Sequence, residues 1–167
     1  QNMSRERLNR VHLRRGKEES LQRNHPWVFS GAIERISEEI PLNEGDIVEV
    51  VTKQGDFIAK GHWQIGSIAV RVLSFEQEDI DQAWWNRRIS EAKGVREALG
   101  LVDNTTTTCY RLVHGEGDLL PGLVIDIYER KAVVQCHSVG MYRSREAIAE
   151  ALREAYGARL DAIYDKS

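Results

Sequence analysis

Asp46-Ile-Val-Glu-Val-Val-Thr-Lys-Gln-Gly-Asp-Phe-Ile-Ala-Lys60 sets two β-branched or apolar runs on either side of a Gln54-Gly-Asp56 turn. Val, Ile and Phe pack well on a pleated surface, while Gly and Asp interrupt one, so the stretch reads as two strands and a tight connection. The same text continues outward. Asn43-Glu-Gly45 sets off the first run, and Ile68-Ala-Val-Arg-Val-Leu73 follows after Gly66-Ser67. Several short strands between residues 11 and 75 imply a small β-barrel that closes on itself, because open edges invite pairing with other chains.

Beyond the strands the period changes. Asp79 is placed to cap a helix in which Trp85, Ile89, Ala92, Val95 and Leu99 recur at steps of three and four, and Gly100 ends the run. Gly94 inside it costs about 1 kcal/mol relative to Ala, so the helix is expected to rely on packing, as a bridge between two domains. Asp103-Asn-Thr-Thr-Thr-Thr108 marks a boundary. Strands are then expected over 110–114, 122–128 and 131–137, the last two forming a hairpin joined by Glu129-Arg130. A helix from about Met141 or Ser144 to Tyr156 would bury Ile148, Leu152 and Ala155 and end at Gly157, with a strand over 160–164 after it.

The expected architecture is therefore α+β. It consists of a loose lead-in over residues 1–10, with Gln1 and Asn2 a cloning remnant, and a small β-barrel over 11–77. A bridging helix over 78–103 and a strand-strand-helix-strand domain over 104–167 complete it. A chain that stops so soon after a strand is expected to be cut from something longer.

Composition narrows the class. The 167 residues are 41% hydrophobic and 29% charged, which suits a globular domain and argues against disorder. No apolar run approaches the roughly 18 residues of a membrane span, and the polar, arginine-rich start is unlike a secretory signal, so the cytoplasm is the expected compartment. Cys109 and Cys136 are too few for a disulfide framework and too far apart for a zinc site, and are expected to be reduced and packed. The net charge of −3 hides an asymmetry. Residues 1–25 hold seven Arg or Lys against three Glu, a local +4, and the remaining sixteen basic and twenty-three acidic residues leave −7. A basic leading edge on an acidic body suits a polyanion, though a solvated arm has the same composition.

That edge carries the densest candidate site. In Arg14-Arg-Gly-Lys17 and Arg23-Asn-His-Pro-Trp-Val-Phe-Ser-Gly-Ala-Ile33, Arg14, Arg15, Lys17 and Arg23 can neutralise phosphates. His25, Trp27 and Phe29 offer rings that stack on bases or fill a core, and alternation along the strand is expected to bury at least one of Trp27 and Phe29. His25 and Trp27 complete the candidate RNA contacts.

Other constellations favour structural roles. His62, in Lys60-Gly-His-Trp63, has no neighbouring base or nucleophile and is expected at the surface or in a hydrogen bond. His114-Gly-Glu-Gly-Asp-Leu-Leu-Pro-Gly-Leu-Val-Ile-Asp126 offers Glu116, Asp118, Asp126 and His114 to a metal or an acid/base pair, but Gly and Pro make it a turn first. Cys109 with His114 lacks an orienting third group, so no catalytic residue and no metal site is assigned. There is no Gly-x-Gly-x-x-Gly after a strand and no phosphate-cradling Gly-Lys-Ser or Gly-Lys-Thr loop, so no cofactor is expected on these residues.

Together, Leu13-Arg-Arg-Gly-Lys-Glu-Glu-Ser-Leu21, His25-Pro-Trp-Val-Phe-Ser-Gly-Ala-Ile33, Gly61, Ser67-Ile-Ala-Val-Arg71, Gly115-Glu-Gly-Asp-Leu-Leu-Pro-Gly-Leu-Val-Ile-Asp126 and Tyr128 resemble a known family. They look like the N-terminal half of the class I S-adenosylmethionine-dependent methyltransferases related to the large-subunit rRNA cytosine-5 methyltransferase I, and the likeness covers nearly the whole chain from about Val11. The resemblance implies a PUA domain, a small RNA-binding barrel, then a central domain of strand-strand-helix-strand-strand order. It also implies a third, Rossmann-like domain that holds the methyl donor and supplies a cysteine nucleophile; that domain is absent from these residues, and neither Cys109 nor Cys136 takes its role.

The expected function is RNA binding and substrate positioning for an rRNA methyltransferase, with S-adenosylmethionine used by the longer parent. Two rivals stand beside it. One is a stand-alone module that meets a protein partner through Trp84 and the exposed face of the bridging helix; the other is a small hydrolase on Glu116, Asp118 and His114. Whether the chain pairs as a homodimer is left open.

Overall fold

The computed structural model describes residues 7–102, 104, 106 and 108–167. The chain divides into two compact units, residues 1–78 and 79–167.

The first unit is a curled six-stranded sheet. Its strands are β1 (Arg10–Leu13), β2 (Trp27–Phe29), β3 (Ile33–Ser37), β4 (Ile47–Val51), β5 (Phe57–Trp63) and β6 (Ile68–Ser74), in the order β2-β6-β5-β4-β1-β3. β1 runs parallel to β4, and every other pair is antiparallel. Strand alternation sends Val11, Leu13, Val28, Val48, Val50, Ala59, Val70 and Val72 inward, and Leu21 from the single-turn helix α1 (Glu19–Gln22) closes the same core. The sheet differs from the expected closed barrel. Its order ends at β2 and β3, with no ladder between them among the described residues. Only the turn Ser30–Ala32 separates these strands in sequence, yet they stand at opposite ends of the sheet order. The edges are blunted by the three-residue length of β2 and by Glu34 and Arg35 on β3. Gly61 is required: a Cβ there would overlap the Arg71 carbonyl on β6.

The second unit begins with α2 (Gln82–Ala98). Its cap is Asp81, whose Oδ1 accepts the Trp84 N–H at 2.9 Å, so the helix starts two residues after the expected Asp79. Trp84, Trp85, Ile89 and Ala92 are buried, but Val95 is 51% and Leu99 68% exposed, so the expected apolar stripe stops short of the last turn. The helix read as a bridge lies inside this unit, where it packs on β7 and α4.

A four-stranded sheet follows, in the order β10-β9-β8-β7, built from β7 (Cys109–His114), β8 (Leu123–Tyr128), β9 (Lys131–Cys136) and β10 (Ala162–Asp165). β8 and β9 form the expected hairpin, with Tyr128 opposite Lys131 and Glu129 at φ 53° in the turn. Three strands precede the helices, α3 (Val139–Arg143) and α4 (Arg145–Tyr156), and one follows, parallel to β9. This is the run of strands and helix expected over 110–164, but it has one more leading strand than the strand-strand-helix-strand or strand-strand-helix-strand-strand description, because β7 pairs with β8 around a bulge between Arg111 and Val113. Ser138 caps α3 and Gly157, at φ 54°, ends α4. α4 buries Ile148, Ala151, Leu152 and Tyr156, while Ala155 is only half-buried.

Candidate nucleic-acid interface

β1 delivers Leu13 to the core and then turns sharply. Gly16 takes φ 86°, and the Lys17 N–H closes the turn on the Arg14 carbonyl at 3.0 Å. Leu21 pins α1 to the core, which leaves Arg14, Arg15, Lys17 and Arg23 exposed around it. Asn24, at φ 62°, reverses the chain, and the His25 N–H returns to the Ser20 carbonyl at 3.2 Å. Main-chain contacts at both ends thus hold the basic segment in place.

Charge pairing on this rim is uneven. Arg14 Nη1 lies 3.8 Å from Glu34 Oε2, with both side chains near solvent, a weak pair. Among the described residues, Arg15, Lys17 and Arg23 pair with no carboxylate. Arg5 of the basic leading edge lies outside the described residues.

The rings do not take the places expected of them. In Trp27-Val28-Phe29 the inward position belongs to Val28, 3% exposed, so Trp27 is half-buried and Phe29 is 49% exposed. The expectation that Trp27 or Phe29 fills the core fails because a small β-branched side chain fits a narrow sheet interior already occupied by Leu13 and Leu21. The displaced rings gather outside. His25 meets Trp27 edge-on at 5.9 Å, Trp27 meets Phe29 edge-on at 6.2 Å, and His25 and Phe29 are tilted at 6.5 Å. Beside them a cleft of about 340 Å³ is lined by Leu13, Lys17, Leu21, Trp27 and Phe29 among others. Phe29, offered by the sequence as a ring and left out of the candidate contacts, is the most open apolar member of the cluster. Its only sequence signal is its parity with Trp27 across a β-branched residue.

The acidic rival site comes apart, and the helix-face rival loses Trp84. Trp84 is 1% exposed, meets the Trp85 ring edge-on at 4.9 Å and is covered by Arg88 at 5.4 Å from its centre, so it cannot meet a protein partner. Its place one turn after the Asp81 cap turns it inward. Asp118 is held by Arg96, Asp126 by Arg111 at 2.8 Å, and Glu116 is exposed. These carboxylates with His114 therefore form a turn and two ion pairs, and no group of three metal-ligating side chains occurs among the described residues. His62 is 2% exposed on β5, opposite Arg71. Both cysteines are free; Cys109 is exposed, at the outer edge of the sheet, and so is not packed, while desolvation raises the pKa of the half-buried Cys136 thiol. No helix of the described residues is long and apolar enough to cross a membrane.

Comparisons with known proteins agree with this layout. The PUA-like domain family matches residues 11–75. Over 160 residues, 95% of the chain, the sequence is 40% identical to ribosomal RNA large subunit methyltransferase I of Salmonella arizonae and 41% identical to that of Salmonella paratyphi B. The chain spans 38% of the length of these relatives. Among solved structures, a Streptococcus mutans protein described as a SAM-dependent methyltransferase superposes with a TM-score of 0.76 at 18% identity, over 94% of this chain and 40% of its own. A methyltransferase solved with SAH gives 0.76 at 19% identity, over 93% of this chain and 40% of its own. Along nearly its whole length the chain thus matches the N-terminal region of ribosomal RNA large subunit methyltransferase I, with a PUA-like domain over residues 11–75.

Proposed function

We propose that this chain is the RNA-binding and substrate-positioning N-terminal part of a SAM-dependent methyltransferase that modifies cytosine C5 in rRNA, in the cytoplasm. Arg14, Arg15, Lys17 and Arg23 contact phosphates, and His25 and Trp27, joined by Phe29, offer faces to bases. The methyl donor and the catalytic groups belong to chain beyond these residues.

The observation that carries this reading is the juxtaposition on the first unit. Lys17 lines a cleft walled by two rings, and Arg15 and Arg23 each stand two residues from a wall residue with no carboxylate partner among the described residues. Cations without counter-charges favour a polyanion, and rings beside them favour one with unpaired bases. A base must leave its stack before its C5 can be attacked, so a methyltransferase needs surfaces that grip the flanking RNA and fix its register. Titration of the chain with an rRNA fragment at increasing salt tests the reading. The logarithm of affinity should fall linearly with the logarithm of salt concentration, and a flat response or no binding at low salt would remove it.

A further inference from the structure

The four-stranded sheet of the second unit has two unlike faces, and its register settles which side chains share each. Ile125, Ile127, Ala132 and Val134 alternate into the core. The opposite face sets Tyr128 beside Lys131 in one row, and Arg111, Asp126, Val133 and Tyr164 across the next. Tyr128 is 47% and Tyr164 51% exposed, and Arg111 and Lys131 are exposed too. Two open rings on one face differ from scattered surface apolar groups.

The charges there suit one kind of occupant. The one carboxylate of these two rows, Asp126, accepts Arg111 Nε at 2.8 Å and Nη2 at 3.3 Å, so its charge is compensated within the sheet. Lys131 adds a cation. Strands stand about 4.8 Å apart and residues rise about 3.3 Å along each, so Cα atoms two strands and one row apart are separated by about 12 Å. Each tyrosine can therefore serve a base of its own. Flat π faces on either side of the cation Lys131, unpaired among the described residues, on a sheet with no unmatched negative charge in these rows, match an unpaired nucleic-acid strand, whose bases are free to stack.

We propose that this face binds single-stranded RNA, with Tyr128 and Tyr164 stacking on bases while Lys131, between them, lies along the phosphates. The proposal rests on the RNA-binding reading above but uses different residues in a different unit.

The test is anisotropy titration of the 167-residue chain with a short mixed-sequence single-stranded RNA and with the same sequence as a duplex. Three variants are compared with the wild type: Tyr128→Ala with Tyr164→Ala, Tyr128→Phe with Tyr164→Phe, and Lys17→Gln with Arg23→Gln. The alanine pair should lose about ten-fold or more in single-strand affinity, keep its duplex affinity, and be rescued by phenylalanine. Wild-type affinity in the alanine pair alongside a loss in the Lys17/Arg23 variant would overturn this inference and leave the RNA reading standing. Failure of the wild-type chain to bind either RNA would overturn both. Equal losses in the alanine and phenylalanine pairs, or an altered sedimentation coefficient in place of altered affinity, would also overturn it. Stacking needs only the ring, and a face that joins copies reports in the oligomeric state.

Discussion

Asp118 presents both carboxylate oxygens to Arg96, each at 3.0 Å, with the two side chains 14% and 13% exposed. The same carboxylate accepts the His114 N–H at 2.6 Å, and Arg96 Nε donates to the Arg111 carbonyl at 3.0 Å, so one pair ties α2 to β7 and the turn after it. Asp118→Asn leaves a largely buried guanidinium without its counter-charge, and should cost about 3 kcal/mol. Urea unfolding followed by far-UV circular dichroism checks it; an unchanged midpoint would show that the clamp is dispensable.

Two glycines give opposite forecasts. Gly61→Ala forces a methyl group against the Arg71 carbonyl in a ladder that cannot open without losing its register, so it should destabilise by about 2 kcal/mol or more. Gly94→Ala meets nothing within 4 Å on the exposed side of α2, and should stabilise by about 1 kcal/mol. Thermal melts of the two variants should move in opposite directions.

Tyr156 gives the second unit an alkaline limit. Burial, reinforced by its hydroxyl contact with Tyr110 at 2.7 Å, holds its pKa far above the ordinary tyrosine value. The unfolded chain releases this proton near pH ~10 while the folded chain keeps it. The unfolded state then binds fewer protons, and stability falls as pH rises past that point. Tyr156→Phe should flatten the decline, which chemical unfolding at pH ~8 and at pH ~10.5 would reveal.

Val28 and Phe29 separate folding from binding. Val28→Ala opens a cavity in the first core and should cost about 1–2 kcal/mol, with RNA affinity unchanged in the folded fraction. Phe29→Ala removes a half-exposed ring and should leave stability nearly intact, while reducing single-strand affinity by about five-fold or more. A reversal of this pattern would make Phe29 a stability residue and remove it from the RNA contacts.

How much of this could be read from residue order depends on how local the deciding interaction is. The hairpin at Glu129-Arg130 was legible because a two-residue connection between β-rich runs has few other solutions, and Gly157 because helices so often end on a residue at positive φ. Trp27-Val28-Phe29 was not: all three side chains are apolar, so alternation names two faces without saying which is inside, and Leu21 from a separate element decides. Asp79 and Asp81 are equally good caps in composition, and only the Trp84 N–H distinguishes them. The basic rim was visible as a run of charge, but the absence of carboxylate partners for Arg15, Lys17 and Arg23 among the described residues depends on the path of the chain through α1 and β3. The open sheet face was missed because Tyr128 and Tyr164 lie on strands far apart in sequence, and only the register through Lys131 and Val133 brings them to one side.

RNA binding at the basic rim is tested most directly by the salt dependence of affinity for the chain and for its Arg15→Gln, Lys17→Gln, Arg23→Gln variant. Each phosphate contact on a single strand contributes about −0.7 to the slope of log affinity against log salt. The variant should therefore bind more weakly, with a slope shallower by about two units. Identical slopes for the two proteins, at whatever affinity, would mean that these three cations do not touch the RNA, and would contradict the central claim.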